Sequence, residues 1–107
     1  MRKRIYIAGP MRGYDKLNAP AFERADFKFY HQDWNVENPV FIGDRFGTPA
    51  EIEANPDLLR RLMEMELAVV KSCDAIYLLN GWEKSAGARA ELRVALDHNL
   101  EIILERE

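Results

Sequence analysis

Apolar positions along the chain follow two rhythms. Short unbroken runs alternate with stretches in which apolar residues return every three or four positions. Arg4–Ala8 (R-I-Y-I-A) is β-rich and closed by Gly9-Pro10, which predicts a first strand. Gly9–Leu17 reads as a loop. Asn18 is placed to cap a helix reaching about Gln32, with Pro20 in its first turn. Asn35–Glu37 is a brief second strand stopped by Asn38-Pro39. Val40–Pro56, with glycines and prolines interspersed, reads as one long irregular loop. Leu58, Leu59, Leu62, Met63, Met65, Val69 and Val70 form an apolar arc on a helix wound over Asp57–Cys73. Asp74–Leu79 is a continuous apolar run, as in the middle of a parallel sheet. Asn80–Lys84 is a turn, Ser85 caps a helix over Ala86–His98, and Glu101–Leu104 is a last strand.

Strands alternating with helices predict an α/β fold. The expected form is a flavodoxin- or Rossmann-like three-layer sandwich around a parallel sheet of four to five strands. Ligands of such sheets bind at the carboxyl ends of the strands, where strand order reverses. That places Gly9–Gly13, Asn38–Phe46 and Asn80–Ser85 at the expected site.

Two residues break the helical pattern. Glu66 falls within the apolar arc of its helix, and Glu91 shares a face with Ala88, Leu92 and Ala95. Surface helices keep carboxylates on the polar side, and an unanswered buried one costs several kcal/mol. Two on adjacent elements suggest a working pair of acids, the arrangement that glycosidic chemistry requires.

Length and composition narrow the class. A chain of 107 residues suits a single domain, 1–107. Net charge is −3 with no basic block, which argues against polymeric nucleic acid but not against a single nucleotide. The single cysteine, Cys73, allows no internal disulfide and suggests a reducing, cytoplasmic setting. The basic start Met1-Arg2-Lys3-Arg4 is followed by too short an apolar run for a signal peptide, and no stretch approaches membrane-spanning length. His31 and His98 lack partners at metal-ligand spacing, so neither metal nor cofactor is expected.

Other residues admit two readings. Ser85 caps its helix, and beside Gly87 and Ala88 it also leaves backbone N–H groups open to an anion. Gly9-Pro10-Met11-Arg12-Gly13 lacks both G-x-G-x-x-G and the Walker lysine; Arg12 either grips a phosphate or is merely solvated. Tyr6 is either a core aromatic or the orienting partner of a carboxylate. Trp82, Phe41 and Phe46 either stack on a base or cover apolar surface.

Over nearly its whole length the chain resembles the nucleoside 2-deoxyribosyltransferase superfamily. The match runs through Tyr6-x-x-Gly9, Arg12-Gly13 and Asn38-Pro39. It continues through Glu66-x7-Asp74 and the block Gly81-Trp82-Glu83-x-Ser85-x-Gly87-Ala88-x-x-Glu91-x3-Ala95. The branch it most resembles is the deoxynucleoside 5′-monophosphate N-glycosidases. The resemblance implies that Glu91 attacks C1′ of the sugar, and that the Glu66 position, aspartate in most relatives, assists proton transfer. It further implies that serine at position 85 accepts a 5′-phosphate where the transferases' aspartate receives a 5′-hydroxyl. Pro10 stands where the glycosidase branch carries serine. The expected function is therefore nucleotide N-glycosidase, with Glu91, Glu66 and Tyr6 catalytic. Gly9, Arg12, Gly13, Asn38, Trp82, Ser85, Gly87 and Ala88 would contact substrate. A base-exchanging transferase and a non-catalytic nucleotide-binding module are the alternatives. Relatives form dimers, and a homodimer is expected here, as the long loop and apolar helix faces also suggest.

Overall fold

The structure is a computed structural model and describes residues 2–106, so Met1 and Glu107 of the expected domain lie outside the described residues. Nine elements organise the described residues. They are β1 (Arg4–Ala8), α1 (Ala19–Tyr30), β2 (Asn35–Glu37), α2 (Pro39–Asp44), α3 (Pro49–Ala54), α4 (Pro56–Lys71), β3 (Ala75–Leu78), α5 (Ala86–Asp97) and β4 (Glu101–Leu104), with single 3-10 turns at Asp15–Asn18 and Trp82–Lys84. The sheet is parallel throughout, in the order β2-β1-β3-β4. This is the expected Rossmann-like α/β architecture, with four strands among the described residues.

The alternation of strand side chains sorts the core into two layers. Ile5, Ile7, Ala75, Tyr77 and Leu79 meet Phe22, Ala25 and Phe29 of α1 on one face. Tyr6, Ala8, Ile76 and Leu78 meet Ile42, Ile52, Leu62, Val70, Ala88 and Ala95 on the other. Residues 5–8 of β1 and 75–79 along β3 are almost wholly excluded from solvent. This explains why both runs are apolar without interruption. Strand order turns back between β1 and β3, where Ala8 pairs with Leu78. Their carboxyl ends therefore form the switch point at which open α/β sheets bind ligands.

Three expectations are corrected. Residues 40–56 are not a long irregular loop: α2 and α3 occupy most of the stretch. Each begins at a proline in its first turn, capped by Asn38 accepting from the Val40 N–H and by a Thr48/Glu51 capping box. Asn18 does not cap α1. Its backbone is left-handed (φ 63°), and its Nδ2 donates to the Pro10 carbonyl at 2.9 Å instead. The helix ends at Tyr30 rather than Gln32. Finally, Met63 and Met65 fall outside the buried stripe of α4 and are 43% and 48% exposed.

Candidate functional site

A cavity of about 710 Å³ opens at the carboxyl edge of β1 and β3. The β1–α1 segment forms one wall, α2, α3 and α4 another, and the first turns of α5 a third. Its volume lies within the range of small-molecule sites.

Glu91 is the chemical centre of this cavity. α5 must bury one face against the sheet, and Ala88 and Ala95 on that face are 1% and 0% exposed. Glu91 lies between them at 8%. Tyr6, buried on β1 below, donates its hydroxyl to Glu91 Oε2 at 2.5 Å. The two residues are 85 positions apart, and the packing of α5 on the sheet brings them together. Burial and the carboxylates nearby hold the Tyr6 phenol well above its ordinary range, so it remains a proton donor.

Glu66 reaches the same cavity from α4 and makes no side-chain hydrogen bond among the described residues. Desolvation raises its pKa to about 7. Glu91 is pushed to about 8, first by desolvation and then by the charge of Glu66, against the Tyr6 hydrogen bond that favours its anion. Near neutral pH the two carboxyls hold about one proton between them.

Both shifts have a consequence for stability. The unfolded chain releases these protons near 4.5, whereas the folded protein keeps them to about 7 and about 8. Between those values the folded state binds more protons, so stability falls as pH rises and the loss is complete above about 8. Thermal unfolding at a series of pH values should show a loss of a few kcal/mol from about pH 5.5 to about pH 8.5, and Glu66→Gln/Glu91→Gln should flatten it. A wild-type profile flat or rising over that window contradicts the raised pKa values of the two acids.

Ser85 ends the turn after β3, and its Oγ accepts from the Ala88 N–H at 3.1 Å. Helix geometry leaves the first N–H groups of α5, at Ala86 and Gly87, without intrahelical acceptors. Both residues line the cavity with Ser85. A Cβ at Gly87 would meet nothing closer than Ser85 Oγ at 3.9 Å, so internal packing does not require glycine there. Its small size instead leaves the backbone open on the cavity side.

The other expected contacts divide. Gly9, Arg12 and Ala88 line the cavity. Gly9 also has a packing role, because a Cβ there would lie 2.7 Å from Leu79 Cβ. Gly13, Asn38 and Trp82 do not line it. Gly13 turns the chain at φ 82°, with nothing near its absent side chain. Asn38 is buried, and its amide is committed to capping α2 and donating to Asp26 Oδ2 at 3.1 Å. Trp82 packs against the core on the α4/α5 side of the sheet. Phe46 joins that core as well, and Phe41 is 59% exposed away from the lining. The aromatic residue in the wall is Tyr14.

Sequence reasoning did not single out Lys16 before α1, Lys84 before α5, Asp44 on α2 or Glu53 on α3, all of which line the cavity. Lys16 and Leu17 are held at φ 52° and 53°. This left-handed conformation costs roughly 1–2 kcal/mol per residue outside glycine, and no local signal announces it. Among the described residues no cluster of His, Cys, Asp and Glu could hold a metal ion, and no helix is long and apolar enough to cross a membrane.

Fold and cavity together define an all-parallel α/β domain with one buried and one half-buried carboxyl, Glu91 and Glu66, at its topological switch point. The chain belongs to the family described as Domain of unknown function (DUF4406), whose model matches residues 3–104. No curated protein matches the sequence.

Proposed function

We propose that the protein hydrolyses the N-glycosidic bond of a (deoxy)nucleoside 5′-monophosphate through a covalent glycosyl-Glu91 intermediate. The observation that carries this reading is a buried Glu91, held by Tyr6 and sharing one cavity with Glu66 and the Ser85 helix start. The resemblance to the nucleotide N-glycosidases supports it from the sequence side. Tyr6 fixes Oε2 and leaves Oε1 to attack C1′. The C1′–N bond breaks with its electron pair going to the base, and Glu66 supplies the proton that the base needs to leave. Water then attacks C1′ from the vacated side and gives a proton to Glu66, and Glu91 departs as carboxylate with net retention.

These roles require the shared proton to lie on Glu66. In that state the charge repulsion that raises Glu91 is gone, and the Tyr6 hydroxyl favours the Glu91 anion. A difference of about one pKa unit between the acids is only about 1.4 kcal/mol. Positive charge developing at C1′ favours the productive arrangement further. The pH profile of kcat/KM should accordingly be a bell with limbs near about 7 and about 8.

Incubation with a panel of ribo- and deoxyribonucleotides tests the reading. Free base and sugar phosphate should appear in equal amounts without any acceptor base. Base exchange that needs an added acceptor would make the protein a transferase, and binding without turnover would make it a nucleotide-binding module.

The proposal extends to a homodimer in a reducing cytoplasm. Phe41 on α2 and Met63 and Met65 on α4 are exposed on helices that wall the cavity, and Cys73 is a free buried thiol. Light scattering at micromolar concentration should return twice the 12.4 kDa chain mass. A monomer mass contradicts the dimer and leaves the chemistry untouched.

A further inference from the structure

The cavity holds three cationic side chains, more than one 5′-phosphate calls for, alongside the acids Asp44, Glu53, Glu66 and Glu91. The start of α5 with Ser85 already offers N–H groups and a hydroxyl to an anion carrying roughly −1.5 to −2. Arg12, Lys16 and Lys84 line the same cavity. They reach it from two segments, before α1 and before α5. None of the three makes an ion pair or side-chain hydrogen bond among the described residues. The acids of the lining do not draw them in, since Asp44, Glu53, Glu66 and Glu91 form no ion pair among the described residues.

The backbone at Lys16 bears on how two of these side chains are held. Lys16 and Leu17 are left-handed without being glycine or asparagine, and both line the cavity. Strain of this kind survives only where the surroundings over-determine it, and it concentrates at ligand clamps. Asn18 supplies part of that restraint through its hydrogen bond to the Pro10 carbonyl, tying the two ends of the segment together. The segment thus holds Arg12 and Lys16 in the cavity that the α5 N-terminus also lines.

We propose that Arg12, Lys16 and Lys84 form a second phosphoryl subsite beside Ser85, so that the cavity takes a 5′-pyrophosphoryl group in preference to a single phosphate. The inference rests on the reading that Ser85 and the α5 N-terminus receive the first phosphoryl group. Two sources present this chemistry: a nucleoside 5′-diphosphate and a dinucleotide joined through its pyrophosphate. Lys16 and Lys84 are the specificity-determining residues, acting as mobile point charges, whereas Arg12 spans both phosphoryl groups with its fork of donors.

Calorimetric titration tests this without requiring turnover. The probes are orthophosphate, pyrophosphate, adenosine 5′-monophosphate, adenosine 5′-diphosphate and diadenosine 5′,5′-diphosphate, against wild type and Lys16→Met/Lys84→Met. Wild type should bind pyrophosphate at least about tenfold more tightly than orthophosphate, the factor that one further charge-assisted contact supplies. The double variant should bring that ratio close to one. Both lysines are solvent-exposed, so the variant should keep the wild-type melting temperature; each single variant provides a second reading of the ratio. Adenosine diphosphate binding more tightly than the dinucleotide identifies a terminal diphosphate, and the reverse order identifies a bridged one. Equal affinity for pyrophosphate and orthophosphate, or a preference that survives loss of both lysines, overturns the proposal. Failure of every nucleotide to release base would defeat the glycosidase reading while leaving this preference measurable.

Discussion

Glu91→Gln should abolish base release while the protein stays folded. The amide is nearly isosteric with the carboxyl and can still accept the Tyr6 hydroxyl hydrogen bond that the wild-type carboxylate receives. It cannot act as an anionic nucleophile. Loss of a covalent nucleophile costs on the order of 10⁴-fold or more in kcat, because the remaining groups act only in concert with it. Removal of a buried acid whose charged form is penalised by desolvation should also leave the variant at least as stable as wild type at about pH 8.5. A variant that turns over at near-normal rate removes Glu91 from the chemistry. One that is inactive because it has unfolded is recognised by its melting curve.

Ser85→Asp should erase the preference for a phosphorylated substrate. In wild type, the ratio of kcat/KM for a nucleoside monophosphate to that for its nucleoside should greatly exceed one, since each charge-assisted hydrogen bond contributes roughly 1.5–3 kcal/mol. The substituted carboxylate can still accept from the Ala88 N–H, as the wild-type Oγ does. Aspartate is a good N-cap, so α5 should remain intact. Its negative charge would face the phosphate, however, and the ratio should fall by at least about tenfold. A free nucleoside loses far less, because its 5′-hydroxyl can donate to the new carboxylate. A wild-type ratio near one, or a ratio unmoved by the substitution, takes the phosphate away from Ser85.

The parts of the fold legible in the sequence were those whose burial leaves a mark on composition. β1 and β3 are covered on both sides, so their residues are apolar without interruption. Glu66 and Glu91 stood out because each occupied an apolar helical position, and both line the cavity. The stretch 40–56 was misread because prolines and glycines were weighed as breakers. Both prolines of the stretch, and Pro39 just before it, follow capping residues, in Asn38-Pro39, Thr48-Pro49 and Asn55-Pro56, and each opens a helix. Asp44 and Glu53 were hidden with them. Asn38 shows the opposite failure: its place at a strand end suggested ligand contact, but it does not line the cavity, and its amide holds α2 and Asp26. Lys16 had no signal to read, since a left-handed lysine follows from the closure of its loop and not from local propensity.

The contact on which the chemistry depends, Tyr6 with Glu91, was expected together with the resemblance, while the residues alone left the role of Tyr6 open. Whether Tyr6 is a core aromatic or an orienting group is settled by which residue of α5 lies above it, and that follows from how α5 packs on β1 and β3. It is Glu91, and a tyrosine with its hydroxyl committed to a buried carboxylate serves both purposes: it fills the core and directs the acid.

The most direct test of the account is the mass of Glu91 during turnover. The protein is mixed with a base-releasing nucleotide from the panel and quenched in acid within the first turnover, then digested and its peptides are weighed. The account predicts a peptide containing Glu91 heavier by one sugar phosphate, absent from Glu91→Gln and lost when quenching is delayed until the nucleotide is consumed. Base release in full with no such adduct, or an adduct carried by any other residue, contradicts it.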